Sequence, residues 1–137
     1  MLRKNVKIDL LRRVPLFSEC SKAQLATIGL IADEMHIREG TVLIAEGTPG
    51  RQFFIVLDGT VAVSRKGKAI PLRGGGEFFG EISLISDAPT NATVVASTPL
   101  RILVVTAQSF KRLLEEQPGI QRKVMSAMAA RLAPDTL

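Results

Sequence analysis

The chain has 137 residues and a mass of 14.8 kDa, enough for one ordinary domain with a real core and too little for a multidomain assembly. Hydrophobic residues make up 46% and charged residues 23%, a globular mixture and not a low-complexity one. Lys and Arg number 18 against 13 Asp and Glu, a net charge of +5, which suits nucleic acid, an anionic ligand or an acidic partner. Trp and Tyr are absent and no Phe alternates with the cations, so a base-stacking surface has little to be built from.

The N-terminus is basic at first, but its apolar stretch is broken by Lys7, Asp9, Arg12 and Arg13, so no signal-peptide h-region forms. The longest apolar runs, such as Phe53 to Leu57, fall far below the roughly 18 residues that span a bilayer. A soluble cytoplasmic protein is expected, without membrane partners. One cysteine, Cys20, and one histidine, His36, exclude an internal disulfide and make a Cys/His metal or iron–sulfur site hard to assemble. No metal site and no resident cofactor are expected.

Read in chain order, the sequence divides a single domain, 1–137, into a helical part over 1–32, a central run of short strands over 33–106 and helices over 107–133. Ser21 to Gln24 has the spacing of a capping box, followed by an apolar helical stripe of Leu25, Ile28 and Ala32. The candidate strands are Thr41–Ala45, Gln52–Leu57, Thr60–Ser64, Lys68–Leu72, Ala92–Ala96 and Leu100–Val105, with a further one around His36. Glycine turns divide them, and Asp58-Gly59 has the strongest hairpin signature. Short strands at this spacing, with no helices between most of them, predict an antiparallel sandwich or roll.

Thr106 can cap a helix carrying Phe110, Leu113 and Leu114, and Pro118 suits the first turn of another. That last helix carries a seam of Ile120, Val124, Met128 and Leu132. Either the chain's own sheet covers it or a second copy does, giving a homodimer.

The segment Gly74 to Val94 is the most distinctive. Its glycines allow close backbone approach, and the apolar run after Gly80 can start a helical turn with free N–H groups, where an anion is welcome. Glu81 in that turn either complements the helix dipole or accepts hydrogen bonds from ligand hydroxyls. The spacing of Phe79-Gly80-Glu81-Ile82-Ser83-Leu84 and Pro89-Thr90-Asn91-Ala92-Thr93-Val94 resembles the phosphate-binding cassette of the cyclic nucleotide-binding domain family. That cassette runs Phe-Gly-Glu-(Leu/Ile)-(Ala/Ser)-Leu and then Pro-Arg-x-Ala-Thr-Val. Pro15-Leu16-Phe17, Gly40 to Gly47 and Phe54 to Val61 also resemble family motifs, in an order that covers about 120 of the 137 residues.

The resemblance implies a mostly β fold, a jelly-roll-like β-roll (double-stranded β-helix) with N-terminal helices and two C-terminal helices, that binds cyclic AMP or cyclic GMP. It implies that Glu81 holds the ribose 2′-hydroxyl and that backbone N–H groups of Gly80, Glu81, Ile82, Ser83 and Asn91 meet the cyclic phosphate. The family's arginine, which pairs with the phosphate charge, is Thr90 here. A hydrogen bond to an ionised group contributes about 1.5–3 kcal/mol, so its loss predicts roughly ten- to more than hundredfold weaker binding. Thr90 and Asn91 remain as neutral donors, and Arg73 is the nearest basic residue upstream.

Three other readings stand beside this one. Catalysis is not expected, because His36 and Cys20 read as structural residues and no nucleophile–base set is in sight. Transcription regulators of the catabolite-activator type add a helix-turn-helix, and only 133–137 follow the last helix here, so direct DNA binding is not expected. The last alternative keeps the fold without a ligand and acts as a protein-interaction or dimerisation module.

Overall fold

The computed structural model describes residues 2–70 and 78–132, with side chains to 130. Helix α1 (Lys4–Arg12) leads through a 3-10 turn (Pro15–Phe17) to α2 (Lys22–Gly29). The strands are β1 (Asp33–Ile37), β2 (Val42–Ile44), β3 (Gln52–Asp58), β4 (Val61–Arg65), β5 (Lys68–Ile70) and β6 (Phe78–Phe79). A second 3-10 turn (Glu81–Leu84) precedes β7 (Thr93–Ala96) and β8 (Leu100–Thr106), and α3 (Ala107–Glu116) and α4 (Pro118–Leu132) follow.

The strands form two four-stranded antiparallel sheets, in the orders β1-β8-β3-β6 and β2-β7-β4-β5. The first is apolar on both faces for a reason visible in its central strands. In β3 and β8, Phe53, Ile55, Leu103 and Val105 face the helices, while the alternating Phe54, Ile102 and Val104 face the second sheet. Each side chain follows the period of two that a pleated strand imposes. The roll interior is completed by Val61, Val63, Val94 and Ala96 from the second sheet.

The helical ends follow local signals. Ser21 and Gln24 form the reciprocal capping box, and Leu25, Ile28 and Ala32 are fully buried. Thr106 Oγ1 accepts from Ser109 N–H at 3.1 Å to cap α3. Ile120, Val124 and Ala127 of α4 are buried in the chain's own core, beside Leu16 and Phe17, and Met128 packs against the same cluster. The chain itself therefore covers the described part of the seam; the Leu132 side chain lies outside the described residues.

Two expectations are corrected by nonlocal pairing and packing. Asp58-Gly59 does not close a hairpin: β3 and β4 lie in different sheets, and the turn hands the chain from one to the other. Gly59 has φ +96°, and a Cβ there would meet the Pro99 carbonyl, so the crossover requires glycine. The true hairpin joins β4 to β5 through Lys66 (φ 51°) and Gly67 (φ 77°), the pair of positive φ values that a tight two-residue reversal needs. His36, expected as a structural residue at a turn or partly buried, is instead exposed within β1. The end of the fourth candidate strand, Pro71 and Leu72, together with Arg73, Gly74 to Gly76 and the tail 133–137, lies outside the described residues.

Candidate functional site

Strand β6 pairs Phe79 with Phe54 and delivers the chain to Gly80 against the edge of the first sheet. Gly80 adopts φ +82° and ψ +18°, and a Cβ there would meet the Gln52 carbonyl. Two independent constraints thus demand glycine at the point where the segment turns over the mouth of the roll.

The helical turn expected after Gly80 is a four-residue 3-10 turn. It is too short for a macrodipole, so what it offers is individual N–H groups. Ser83 N–H donates to Gly80 O at 3.0 Å and Ile85 N–H to Ile82 O at 3.0 Å, whereas Ile82 N–H has no partner among the described residues. Glu81 is half-buried, and its Oε2 accepts from Leu16 N–H at 3.2 Å. The Ile82 side chain is exposed, and Ser83 packs so closely on Gly50 that a Cβ on Gly50 would collide with Ser83 Oγ.

On the far side, residues 89–91 are clasped to the loop after β2. Thr90 N–H donates to Thr48 O at 2.8 Å, Gly47 N–H donates to Thr90 O at 2.8 Å, and Thr90 Oγ1 donates to Ala45 O at 2.7 Å. Both Thr90 donors therefore serve the fold. Asn91 O accepts from Arg65 Nε at 2.8 Å, while the Asn91 N–H and carboxamide have no donor contact among the described residues.

Between these two walls lies an open cavity of about 370 Å³, lined by Phe79 to Ser83 on one side and Pro89 to Ala92 on the other. Its floor is the inner face of the second sheet, through Ile44, Val63 and Val94. The structure brings all six candidate residues, Gly80, Glu81, Ile82, Ser83, Thr90 and Asn91, to this one cavity. An apolar floor with polar donors along the rim suits a small flat molecule carrying an anionic group.

Arg65 does not line the cavity, but it follows Val63 by two positions on β4, and its Nε donates to the carbonyl of Asn91, which does. Elsewhere, Cys20 is buried, and burial raises its thiol pKa, with smaller opposing effects from Lys123 (lowering) and Glu19 (raising). Among the described residues no group of three His, Cys, Asp or Glu is placed to hold a metal ion.

Comparison with known proteins gives a consistent picture. The family model "Cyclic nucleotide-binding domain" matches residues 34–117. A cAMP-dependent protein kinase regulatory subunit from Colletotrichum orbiculare is 32% identical over 123 residues, covering 88% of this chain and 32% of the relative. One from Neurospora crassa is 28% identical over 134 residues, covering 96% of this chain and 35% of the relative. The chain thus spans about a third of the length of these curated relatives. Among solved structures, the N-terminal domain of a transcriptional regulator from Streptomyces coelicolor A3(2) superposes with a TM-score of 0.81 at 29% identity, covering 92% of this chain and 94% of that one. PKAR CBD2 with Sp-2Cl-cAMPS bound gives a TM-score of 0.65 at 25% identity, covering 96% and 90%.

Proposed function

This chain belongs to the cyclic nucleotide-binding domain family, and from that premise we propose that it is a regulatory module that binds cyclic AMP or cyclic GMP in the cavity between residues 79–83 and 89–92. The observation that carries the reading is the convergence of the six cassette positions on one cavity of about 370 Å³. Two relatives of the kind matched are cAMP-dependent kinase regulatory subunits, and a structural neighbour holds a cyclic nucleotide analogue, which favours cyclic AMP as the first ligand to test.

In this reading the base and sugar lie over Ile44, Val63 and Val94, the ribose 2′-hydroxyl donates to Glu81, and the cyclic phosphate accepts from Ile82 N–H and Asn91 N–H. Thr90 contributes shape and not charge, because its N–H and O–H already hold the loop after β2. The loss of an arginine at this position taken alone weakens binding by roughly ten- to more than hundredfold. The module is regulatory and not catalytic, acting in the cytoplasm through a protein partner. Among the described residues no helix is long and apolar enough to cross a membrane. A homodimer through α4 would have to use its outward face, where Met125 is exposed, since Ile120 and Val124 are already covered.

A second reading keeps the fold without a nucleotide. What favours it is that Glu81 is already engaged by Leu16 and Thr90 by Ala45. Thermal melts with increasing cyclic AMP and cyclic GMP separate the two. Saturable binding to the folded state raises the melting temperature, with about 2.7 kcal/mol gained at a hundred times Kd. No shift at millimolar nucleotide selects the interaction module.

A further inference from the structure

We propose that Arg65, on β4, supplies the positive charge for the ligand's anionic group, in place of the arginine that this chain lacks at position 90. The assignment rests on the reading of the cavity as a cyclic nucleotide site. Three observations carry it.

First, strand alternation puts Arg65 on the same face as Val61 and Val63, which are buried in the roll, and Val63 forms part of the cavity floor. Two residues further along a strand the side chain emerges on that same face, here next to Asn91 of the cavity lining, where Arg65 is exposed. Second, the guanidinium is already anchored: Nε donates to Asn91 O at 2.8 Å, and Asn91 lines the cavity. With Nε engaged, the Nη1/Nη2 edge has no partner among the described residues. A planar fork held at one edge loses little freedom when the other edge meets two phosphate oxygens. Third, the corner is net positive. The register sets Arg65 opposite Lys68 beside Lys66, and the carboxylate bonded into this corner, Glu46, accepts from Lys66 N–H at 2.9 Å.

Charge therefore arrives from the β4–β5 hairpin and not from the cassette itself. Position 90 is left free to clasp the loop after β2.

The test is calorimetric titration of the wild type, Arg65→Ala and Arg65→Lys with cyclic AMP and, separately, with adenosine, which has no phosphate. Arg65→Ala is expected to weaken cyclic AMP binding by about tenfold, leave adenosine unchanged and flatten the salt dependence. Arg65→Lys should fall between, and Thr90→Arg placed in the Arg65→Ala chain should restore the loss. Unchanged cyclic AMP affinity in Arg65→Ala, or an equal loss for adenosine, overturns the assignment while the cavity reading stands. A wild type that shows no saturable cyclic AMP binding overturns both. Melting curves of each variant identify any that fail to fold, and for those the Arg65→Lys comparison decides.

Discussion

Leu16 N–H donates to Glu81 Oε2 across 65 positions of sequence, at 3.2 Å. The bond ties the candidate ribose-binding carboxylate to the N-terminal 3-10 turn, whose Leu16 and Phe17 are buried with Ile120 and Val124 of α4 in one core cluster.

Glu81→Ala is expected to weaken cyclic AMP binding by about ten- to hundredfold, the range for a hydrogen bond to a charged acceptor. The informative comparison is with 2′-deoxy cyclic AMP. The wild type should prefer the ribose form and Glu81→Ala should not discriminate; discrimination that survives the substitution places the hydroxyl elsewhere. Amide exchange at Leu16 should also quicken in Glu81→Ala, because its acceptor is gone.

Thr90→Arg should tighten cyclic AMP binding by a decade or more in the Arg65→Ala chain, where it replaces a missing charge beside Asn91, and by less in the otherwise unchanged chain, where Arg65 already supplies one. Calorimetry on both backgrounds checks this directly. An equal gain of a decade or more on both backgrounds would show that Arg65 does not meet the anion.

The close approach of the loop after β2 to the cassette predicts a coupled pair. Gly50→Ala drives a methyl into Ser83 and should destabilise by about 1–3 kcal/mol, as overpacking does. Because Ser83 Cβ also lies within 2.7 Å of that methyl position, Gly50→Ala combined with Ser83→Gly should recover much of the loss. Denaturant melts of the two single variants and the double variant measure the coupling. Additive losses would show that backbone, and not Ser83, sets the limit.

Packing of α4 onto its own chain makes Ile120→Ala costly, about 2–5 kcal/mol for a truncated core side chain, while Met125→Ala on the exposed side should change stability little. The melting temperature should not depend on protein concentration in either case. A concentration-dependent melt would show that a second copy shares in covering the helix.

Cys20 gives the pH prediction. Burial raises the thiol pKa in the folded chain, so at alkaline pH the unfolded chain loses its proton first and binds fewer protons than the native state. Stability then falls as the pH rises past the ordinary thiol value. Cys20→Ala should lessen that fall, and alkylation of the native protein should be slow until the chain opens. Equal alkaline destabilisation in both proteins would assign the effect to other groups.

The parts of the fold legible in sequence are those with local causes. The Ser21–Gln24 capping box, the Thr106 cap, the stripe of Leu25 and Ile28 and the runs that became β3, β4 and β8 all follow from short-range periodicity and side-chain chemistry. Asp58-Gly59 misled because a turn dipeptide looks the same whether it reverses a strand within a sheet or passes it to another; pairing with β7 and β8 decides that. The two-residue β6 carries no periodicity to detect. At the site, the family resemblance picked out six residues that come to line one cavity, whereas the use of Thr90 by Ala45 and Thr48, and the contact of Arg65 with Asn91, depend on segments distant in sequence.

Calorimetric titration of the unmodified chain with cyclic AMP, carried to millimolar ligand, decides whether the cavity is a nucleotide site. Saturable one-site binding is expected, which adenosine reproduces only in part. Heat no greater than dilution throughout the titration, with no change in melting temperature, would contradict it.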